Sequence, residues 1–421
     1  MKKNLFWLFA IICFSKSVSQ NPNFSWVKSI GGFSSFNLAQ HSITSDNCGN
    51  IYVTGGFTTT VDFDPSPTVY TLSPTGVSDI FLAKYSFNGQ FQWVLQFGTA
   101  SGNEFGNAVR TDASGNVYVT GAIHDGAFPS PIDFDPGPGT ATFTPMGFDL
   151  FVAKYNSSGQ YQWAFDVGGF ATEYGTDMEI DASNNIFVIG VISTPADFDP
   201  GPGTYNVVPP GSTISTFVAK YTNTGLFQAA FAIGSSFGPV DPNGLALSQS
   251  GDVYITGNFG MSTNFGPSGG PPTPPFVANG DFYIAKYDNN LSGCYWAKGF
   301  GSNGTDYGTD IDVDVSGDLY VTGIIQGLCD VDPGPGTATF TPPPSGVGYL
   351  LAKYDTNGQY QWAFMNSGLT AKLDGTGNLV TVGSFTGTID VDPSPSVANL
   401  VSNGGSDAYV AKYTTGGTYV S

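Results

Sequence analysis

Two short stretches of sequence decide the fold. Residues 113–121 read ASGNVYVTG, and residues 149–155 read DLFVAKY. Each is a strand-length run rich in β-branched and aromatic residues, and glycine turns bound the first, which is the pattern of β-strands. Residues 107–112 and 161–165 predict one further strand on each side. One unit of the sequence therefore holds four short strands joined by turns.

The same unit occurs six times along the chain. Its Ala-Lys-Tyr tripeptide recurs at intervals of 59 to 70 residues. The tyrosines that end the six copies are Tyr85, Tyr155, Tyr221, Tyr287, Tyr354 and Tyr413. Four-stranded units at a regular period are typical of β-propeller blades, and no helical periodicity competes with them. We predict an all-β, six-bladed propeller of four-stranded antiparallel blades; the rival, a parallel β-helix, has much shorter rungs.

The two ends of the chain bear on how the ring closes. Residues 24–27 read FSWV, which is a fourth-strand segment ahead of any first strand, and the chain ends on a third strand followed by residues 417–420. Pairing of the N-terminal strand with the last blade would remove the exposed sheet edges. We expect this closure. Because residues 417–420 also begin like a fourth strand, a piece of a longer protein is the alternative.

The diagnostic stretches resemble the bacterial β-propeller repeat family of SBBP type, whose units pair a GNVYVTG strand with a DAFVAKY strand. Here they are residues 115–121 and 149–155, with copies such as 251–257 and 281–287. The resemblance covers nearly the whole chain after residue 19. It implies an extracellular or surface propeller, often from Gram-negative bacteria with type IX secretion, and it implies no catalytic residues. The chain departs from the pattern in having six units rather than seven and no recognisable C-terminal sorting domain.

The N-terminus predicts export. Two lysines precede a short apolar run over residues 5–14, and small residues stand at the −3 and −1 positions of a cleavage site after Ser19, as in a secretory signal. The run is too short to span a bilayer, and Cys13 lacks the small preceding residue of a lipidation site. We predict a signal peptide over 1–19, one propeller domain over 20–421, and a secreted protein at the cell surface, outside the cell or in the periplasm.

Charge and composition exclude several classes of function. The chain has a formal net charge of −20, which becomes −23 without the predicted signal; this argues against nucleic-acid partners and anionic membranes. The three remaining cysteines stand at unrelated repeat positions, so free thiols are predicted. No nucleophile elbow, phosphate loop, histidine cluster or transmembrane segment is recognised. We therefore expect a monomer without catalytic residues or a bound cofactor.

The candidate metal ligands lie in an Asp-x-Asp-Pro motif between the second and third strands, which we expect to carry a small extra hairpin. The motif aspartates are Asp62, Asp64, Asp133, Asp135, Asp197, Asp199, Asp330, Asp332, Asp390 and Asp392. Calcium prefers several oxygen ligands, but the EF-hand pattern is absent, and such carboxylates also accept backbone N–H bonds in turns. The sequence favours a structural turn and leaves Ca²⁺ open. We place these loops on the loop face, where the connections between blades also lie, and expect Glu104, Glu173 and Asp306 to add acid there; the tight turns form the opposite turn face.

Two other recurring residue types predict architecture. A tryptophan occupies one position of strand four in five copies and is expected to pack across neighbouring blades, with sugar stacking as the alternative. A lysine recurs in every third strand and is expected to meet a carboxylate or carbonyl within its own blade. The tryptophans are Trp26, Trp93, Trp163, Trp296 and Trp362, and the lysines are Lys84, Lys154, Lys220, Lys286, Lys353 and Lys412.

These observations favour a secreted binding or scaffolding module that recognises a protein or polysaccharide through the loop face, with Ca²⁺ as a candidate stabilising ion. The alternative is a carbohydrate-active or quinone-dependent enzyme on the same fold. That alternative predicts a unique polar cluster in the central channel, and none is recognised in the sequence. A third interpretation is a spacer within a larger surface protein. Blade 4 diverges most from the repeat, so residues 258–280 are the predicted contact surface.

Overall fold

The computed structural model describes residues 42–124, 126, 130–211, 214–267, 274–276, 280–343, 346–366 and 368–420. All strands and bridges in these residues are antiparallel except two isolated bridges, and five successive sheets have four strands. The sixth sheet has three. The six-bladed all-β propeller is thereby confirmed, whereas the predicted closing strand at residues 24–27 lies outside the described residues. No helix in the described part of the chain is long and apolar enough to cross a membrane.

Blades 1 to 3 run in chain order through the first half of the molecule. Their strands are β1 (Ser42–Ser45), β2 (Ile51–Phe57), β3 (Val61–Asp62), β4 (Thr71–Leu72), β5 (Asp79–Tyr85), β6 (Phe91–Phe97), β7 (Phe105–Thr111), β8 (Val117–His124), β9 (Ile132–Asp133), β10 (Thr142–Phe143), β11 (Phe148–Tyr155), β12 (Tyr161–Val167), β13 (Glu173–Ile180), β14 (Ile186–Ile192), β15 (Ala196–Asp197), β16 (Asn206–Val207), β17 (Ser215–Tyr221) and β18 (Phe227–Ile233).

Blades 4 to 6 continue the same order. Their strands are β19 (Asp241–Leu247), β20 (Val253–Phe259), β21 (Asp281–Tyr287), β22 (Cys294–Phe300), β23 (Tyr307–Val313), β24 (Leu319–Ile325), β25 (Cys329–Asp330), β26 (Thr339–Phe340), β27 (Gly348–Tyr354), β28 (Tyr360–Asn366), β29 (Gly368–Leu373), β30 (Asn378–Phe385), β31 (Thr388–Asp390), β32 (Asn399–Val401) and β33 (Asp407–Thr414). Within the described residues the expected extra hairpin is present in five blades, as β3–β4, β9–β10, β15–β16, β25–β26 and β31–β32; the corresponding loop of blade 4 is only partly described.

The hydrophobic core lies between the blades because strand alternation sends neighbouring side chains to opposite faces of each sheet. In β8, Val117 and Val119 pack in a core shared with blade 1. Tyr118, between them, packs in a core shared with Met178 and Val188 of blade 3. The GNVYVTG pattern therefore supplies both faces of a blade at once, and burial of each face requires a neighbouring blade.

The tryptophans fix this packing, as the sequence predicted. A Cβ placed on Gly159 of blade 2 would lie 3.3 Å from ring atoms of Trp93 in blade 1, and the Trp93 indole donates to the Ser157 carbonyl at 3.4 Å. Each such ring covers the turn between strands three and four of the following blade. The recurring tryptophans are architectural in the described blades; Trp26 lies outside the described residues.

The lysines follow the prediction only in part. Lys286, Lys353 and Lys412 pair with carboxylates of their own blades. Lys154 instead donates to the Asn223 carbonyl of the next blade at 3.0 Å, and Lys84 and Lys220 reach the next blade in the same way. The expectation of a partner within the blade is wrong for these three, because blades 1 to 3 have Asn50, Asn116 and Asn185 where blades 4 and 5 have the partner aspartates Asp252 and Asp318.

Candidate functional site

The Asp-x-Asp hairpins are the first candidate site. In blade 2, the Oδ1 atom of Asp133 accepts the backbone N–H groups of Asp135 at 3.0 Å and of Ala141 at 2.8 Å. Asp135 in turn accepts the N–H of Gly137 at 2.8 Å. Both carboxylates therefore hold the turn in which they lie.

The bonds recur in the other four hairpins. The first aspartate accepts the backbone N–H groups of the second aspartate and of the residue eight positions after the first. The second aspartate accepts the backbone N–H of the residue two positions after it. The pairs are Asp62/Asp64, Asp197/Asp199, Asp330/Asp332 and Asp390/Asp392. The structure thus brings the aspartates together in pairs, one pair in each of five blades.

The residue between the two aspartates explains where the hairpin lies. Phe134 is buried between blades 1 and 2, and its carbonyl accepts the hydroxyl of Tyr155 at 3.0 Å. Tyr155 ends strand three, so the hairpin folds back from the loop face along the outer rim towards the turn face. The placement of these loops on the loop face is therefore wrong: a buried aromatic anchors them at the opposite end of the strand.

Calcium binding at these aspartates stays a prediction. Two carboxylates with backbone carbonyls would be a partial ligand set for a hard cation. Within the described residues, no group of three or more His, Cys, Asp or Glu side chains has a metal-binding arrangement. The described cysteines are free, as predicted, with Cys48 exposed, Cys294 half-buried and Cys329 buried.

The acidic residues of the blade connections are not on the surface. Glu104, Glu173 and Asp306 are fully buried between blades, so the expectation that they add acid to the exposed loop face is wrong. Glu104 accepts the Thr99 hydroxyl at 2.7 Å through Oε1, and its Oε2 has no hydrogen-bond partner among the described residues. Burial raises the pKa of Glu104 to about 8 against that hydrogen bond, and the charge of Asp79 adds to the rise. These acids are buried and form hydrogen bonds in the connections between blades, as Glu104 does with Thr99.

A charged cluster at the centre of the propeller was not predicted. The first strands of successive blades contact one another around the axis, and six of their charged side chains form ion pairs or hydrogen bonds between these strands. Arg110 of blade 2 donates to Asp177 and Glu179 of blade 3, each at 2.8 Å. Lys372 of blade 6 donates to Asp310 of blade 5 at 2.9 Å. With Asp312, whose charge also acts on Lys372, the group has four carboxylates and two cations. We call these six residues the channel cluster: Arg110, Asp177, Glu179, Asp310, Asp312 and Lys372.

The channel cluster is electrostatically coupled across the ring. Burial acts against the charge of Arg110, but Glu179 and Asp177 outweigh it and hold the pKa of Arg110 above its ordinary value, and Asp310 contributes from blade 5. Burial raises the pKa of Glu179 although Arg110 opposes this. The backbone N–H groups of Leu245 and Ala371 also bond to Asp177 and Asp310. Most of the cluster's carboxylate oxygens are therefore occupied in joining blades.

The signal for this cluster was present in the sequence. Two residues before the recurring aspartate of strand one, the six blades carry Thr44, Arg110, Glu179, Ala246, Asp312 and Lys372. The preceding position is apolar in all six copies, whereas this one changes in charge from blade to blade. A variable position inside an otherwise regular repeat marks a differentiated site, and only the superposition of all six copies makes it visible.

The predicted contact segment of blade 4 is partly described. Phe265 is fully buried and packs with Phe276 against Phe259. Met261 forms a bridge with Phe237, and both side chains are at least half exposed. Residues 268–273 and 277–279 of this segment lie outside the described residues.

Comparison with known proteins bears on the repeat. Residues 92–126 match the SBBP family model, described as Beta-propeller repeat. The match runs from the fourth strand of blade 1 into the second strand of blade 2, and with the six-blade arrangement it confirms the resemblance seen in the sequence. This chain is also 24% identical, over 401 residues, to an uncharacterized WD repeat-containing protein, L264, of Acanthamoeba polyphaga mimivirus. The alignment covers 76% of this chain but 28% of that protein, so the chain spans less than a third of its length.

Two solved structures are similar to this chain at low scores. One is a protein of unknown function from Bacteroides caccae, with 11% identity, a TM-score of 0.35, and coverage of 77% of this chain and 81% of that one. The other is named luciferin-regenerating enzyme, with 12% identity, a TM-score of 0.35, and coverage of 90% of this chain and 96% of that one. At these scores neither bears on the function of this propeller, and the expectation that it is not an enzyme stays a prediction.

Proposed function

We propose that this β-propeller repeat protein is a secreted or cell-surface binding module that recognises a protein or a polysaccharide through its loop face. The observation that carries the proposal is a set of large apolar side chains exposed on that face. They are Phe170, Phe237, Met261 and Leu328, which are 87%, 65%, 50% and 67% exposed. They lie in connections that do not repeat from blade to blade, and exposed apolar patches of this kind mark interaction surfaces.

The polar residues that repeat from blade to blade have structural contacts away from the loop face, and this supports the same conclusion. The hairpin aspartates hold their turns, the strand-three lysines join or brace blades, and the tryptophans cover turns. The fold does not require the loop-face residues that differ between blades. These residues are therefore available to select a partner.

The test compares the two faces of the propeller. We would measure binding of the purified protein to immobilised xylan, laminarin, mannan, pullulan and polygalacturonate. The loop-face variant carries Phe170→Ser, Phe237→Ser, Met261→Ser and Leu328→Ser; the control carries Phe87→Ser and Val315→Ser, which are exposed on the turn face. We expect the loop-face variant alone to lose binding. Loss in the control alone would contradict the proposed surface, and no binding by the wild type would remove the polysaccharide class.

Export is tested separately. Cleavage after Ser19 would leave Gln20 at the mature N-terminus, so mass spectrometry of the protein recovered outside the cytoplasm should find that terminus. An uncut N-terminus in all of the recovered protein would overturn the signal peptide.

A second candidate function, glycoside hydrolysis, is favoured by one observation in the channel cluster. Burial raises the carboxyl pKa of Glu179, and Glu179 shares Arg110 with the carboxylate of Asp177; glycoside hydrolysis uses paired carboxyl groups. Assays with 4-nitrophenyl glycosides would test it, since Glu179→Gln should abolish any turnover while leaving the loop-face binding unchanged. Equal turnover by wild type and variant would exclude this site.

A further inference from the structure

A cavity of about 730 Å³ opens on the loop face between blades 5 and 6. Its walls come from the ends of four strands and the loops beside them. The lining residues are Thr341, Pro343, Val347, Gly348, Tyr349, Met365, Ser384, Phe385, Thr386, Ile389 and Ser406.

The first cause of the cavity is a shortened connection. Strand β28 ends at Asn366 and β29 begins at Gly368, so one residue joins blade 5 to blade 6. The corresponding connections at the four preceding junctions contain between five and seven residues. The short connection also accounts for most of the reduced spacing of the last Ala-Lys-Tyr copy, which follows its predecessor by 59 residues.

The missing residues have a defined place in the other junctions. There the connection lies beside the start of strand three and forms backbone hydrogen bonds with it. Phe148 donates to Ala171 at 3.0 Å, Asp306 donates to Gly280 at 3.0 Å, and Val240 donates to Ile214 at 3.1 Å. In blade 5 the position of Ile214 and Gly280 is occupied by Val347, which lines the cavity instead.

The second cause is a missing side chain. Blades 2 and 4 carry Asp149 and Asp281 at or next to the start of strand three, and both are buried. A Cβ at Gly168 of the blade 2 connection would lie 2.1 Å from Asp149 Oδ1. Blade 5 has Gly348 at this position, and the Met365 side chain takes up part of the space, since a Cβ on Gly348 would lie 2.8 Å from Met365 Cε. The junction between blades 5 and 6 therefore lacks both the strip of backbone and the carboxylate that fill its equivalents.

The chemistry of the walls selects a ligand class. Tyr349 and Phe385 supply aromatic surface, and Met365 and Ile389 extend it. Four residues with hydroxyl side chains, Thr341, Ser384, Thr386 and Ser406, also line the cavity, and none of the described lining residues is charged. We propose that the cavity binds a neutral saccharide of roughly two or three sugar units, a size that its volume permits.

A sugar fits this combination better than the other neutral ligands. The C–H face of a pyranose ring packs on aromatic rings, and its hydroxyls pair with the Ser and Thr side chains and with backbone groups. An aliphatic chain would make no use of these hydroxyl side chains, which belong to exposed residues. An anionic sugar would find no cation among the lining residues and would meet a chain of net charge −20.

The experiment is calorimetric titration with maltotriose, cellotriose and mannotriose, with trigalacturonate as the charged comparison. We expect at least one neutral trisaccharide to bind. Tyr349→Ala should weaken it by about tenfold, since an aromatic contact is lost. Gly348→Asp should abolish it, because a Cβ there would lie 2.8 Å from Met365 Cε, so the substitution displaces this wall residue and adds a carboxylate. The matched control is Tyr205→Ala, which removes an exposed tyrosine of the blade 3 hairpin and should leave binding unchanged.

This inference deepens the proposed function and rests on it, but the two fail in different ways. Thermal melts first establish that each variant is folded; a folded Gly348→Asp variant that binds as the wild type does would overturn the site. Binding of trigalacturonate alone, or of no trisaccharide, would overturn the ligand class. Polysaccharide binding that is lost in the loop-face variant and kept in Gly348→Asp would preserve the proposed function without the cavity.

Discussion

Gly225 of blade 3 lies against the indole of Trp163 in blade 2, and a Cβ on this glycine would stand 3.3 Å from Cε3 of the ring. Its φ of +79° is also in the left-handed region that L side chains rarely adopt. The glycine is thus required twice, once by its own turn and once by the tryptophan of the preceding blade. Gly159, Gly358 and Gly417 have the same relationship to Trp93, Trp296 and Trp362.

Substitution at Gly225 should separate these two requirements. Gly225→Ala is expected to cost about 3 kcal/mol of unfolding free energy, from backbone strain and from overpacking against the indole. Gly377→Ala is the matched control, because Gly377 has a φ of +77° and open space around its Cβ position; it should cost about 1 kcal/mol. Urea unfolding measures both. In a Trp163→Ala background the two costs should become equal, and a persistent difference would contradict the docking contact.

The channel cluster predicts an unusually sensitive arginine. Arg110→Met leaves Asp177 and Glu179 facing each other without their cation, and the loss of one partner from a largely buried ion pair costs about 3 kcal/mol. Lys412→Met removes a more exposed pair with Asp374 and should cost about 1 kcal/mol or less. Chemical denaturation of the two variants gives the comparison. Addition of Glu179→Gln to the Arg110→Met variant should restore part of the lost unfolding free energy, because one unpaired charge is removed. A loss that stays the same would contradict the charge argument.

The sequence predicted the parts of the fold that repeat. Six copies of one strand pattern specify six blades, and the recurring tryptophan indicates how neighbouring blades meet, because a contact needed at every junction repeats in the sequence. The direction of the Asp-x-Asp hairpin was not predictable in the same way. It depends on the burial of Phe134 beside Tyr155, which is a contact between separate segments.

The differentiated sites escaped prediction because they are departures from the repeat. The channel cluster is formed by Arg110 and Lys372 in different blades, whose partners also come from neighbouring copies. The cavity arises where residues are missing, beside Gly348. A search for shared motifs overlooks both, whereas the short final spacing and the variable position in strand one point to them.

A buried acid predicts a pH-dependent stability. The folded-state pKa of Glu104 is about 8, against an ordinary value of 4.5, so the folded protein keeps this proton where the unfolded chain has lost it. This contribution to stability is therefore fully present below about pH 4.5 and is lost progressively as the pH rises to about 8. Glu104→Gln mimics the protonated acid and should raise the melting temperature increasingly between pH 5 and pH 8.

The control for Glu104 has the opposite sign. Burial acts against the charge of Asp374, but hydrogen bonds from Lys412 and Thr376 hold its pKa well below the ordinary 3.8. Its contribution is present above that pH and is lost on acidification, so Asp374→Asn should lower the melting temperature most near neutral pH. A parallel pH response of the two variants would contradict the assignment of the buried proton to Glu104.

The hairpin aspartates predict a difference between two substitutions. Asp133→Asn with Asp135→Asn retains oxygens that accept the turn N–H groups, whereas alanine at both positions removes them. We expect the asparagine pair to melt close to the wild type and the alanine pair to lose about 2 kcal/mol. Melts with Ca²⁺ and with chelator should then agree. A saturable Ca²⁺ stabilisation that the asparagine pair abolishes would instead establish the hairpins as metal sites.

Closure of the ring predicts a last set of variants. Val410 of blade 6 is 67% exposed, whereas Val152, at the same repeat position of blade 2, is fully buried. Ile43 of blade 1 is likewise 67% exposed, and its equivalent Val109 is fully buried. The facing sides of blades 6 and 1 therefore have the composition of an interblade core, which closure would bury.

Trp26 is expected to provide that closure by stacking on the blade 1 turn at Gly89, whose φ of +75° matches the other docking glycines. Trp26→Ala should then cost about 3 kcal/mol, as Trp93→Ala should at a described junction, and should increase the fluorescence of a dye that binds exposed apolar surface. Urea unfolding and dye titration measure the two effects. If Trp93→Ala destabilises the protein while Trp26→Ala changes neither quantity, residues 24–27 do not close the ring, and the apolar faces of blades 6 and 1 must meet another partner.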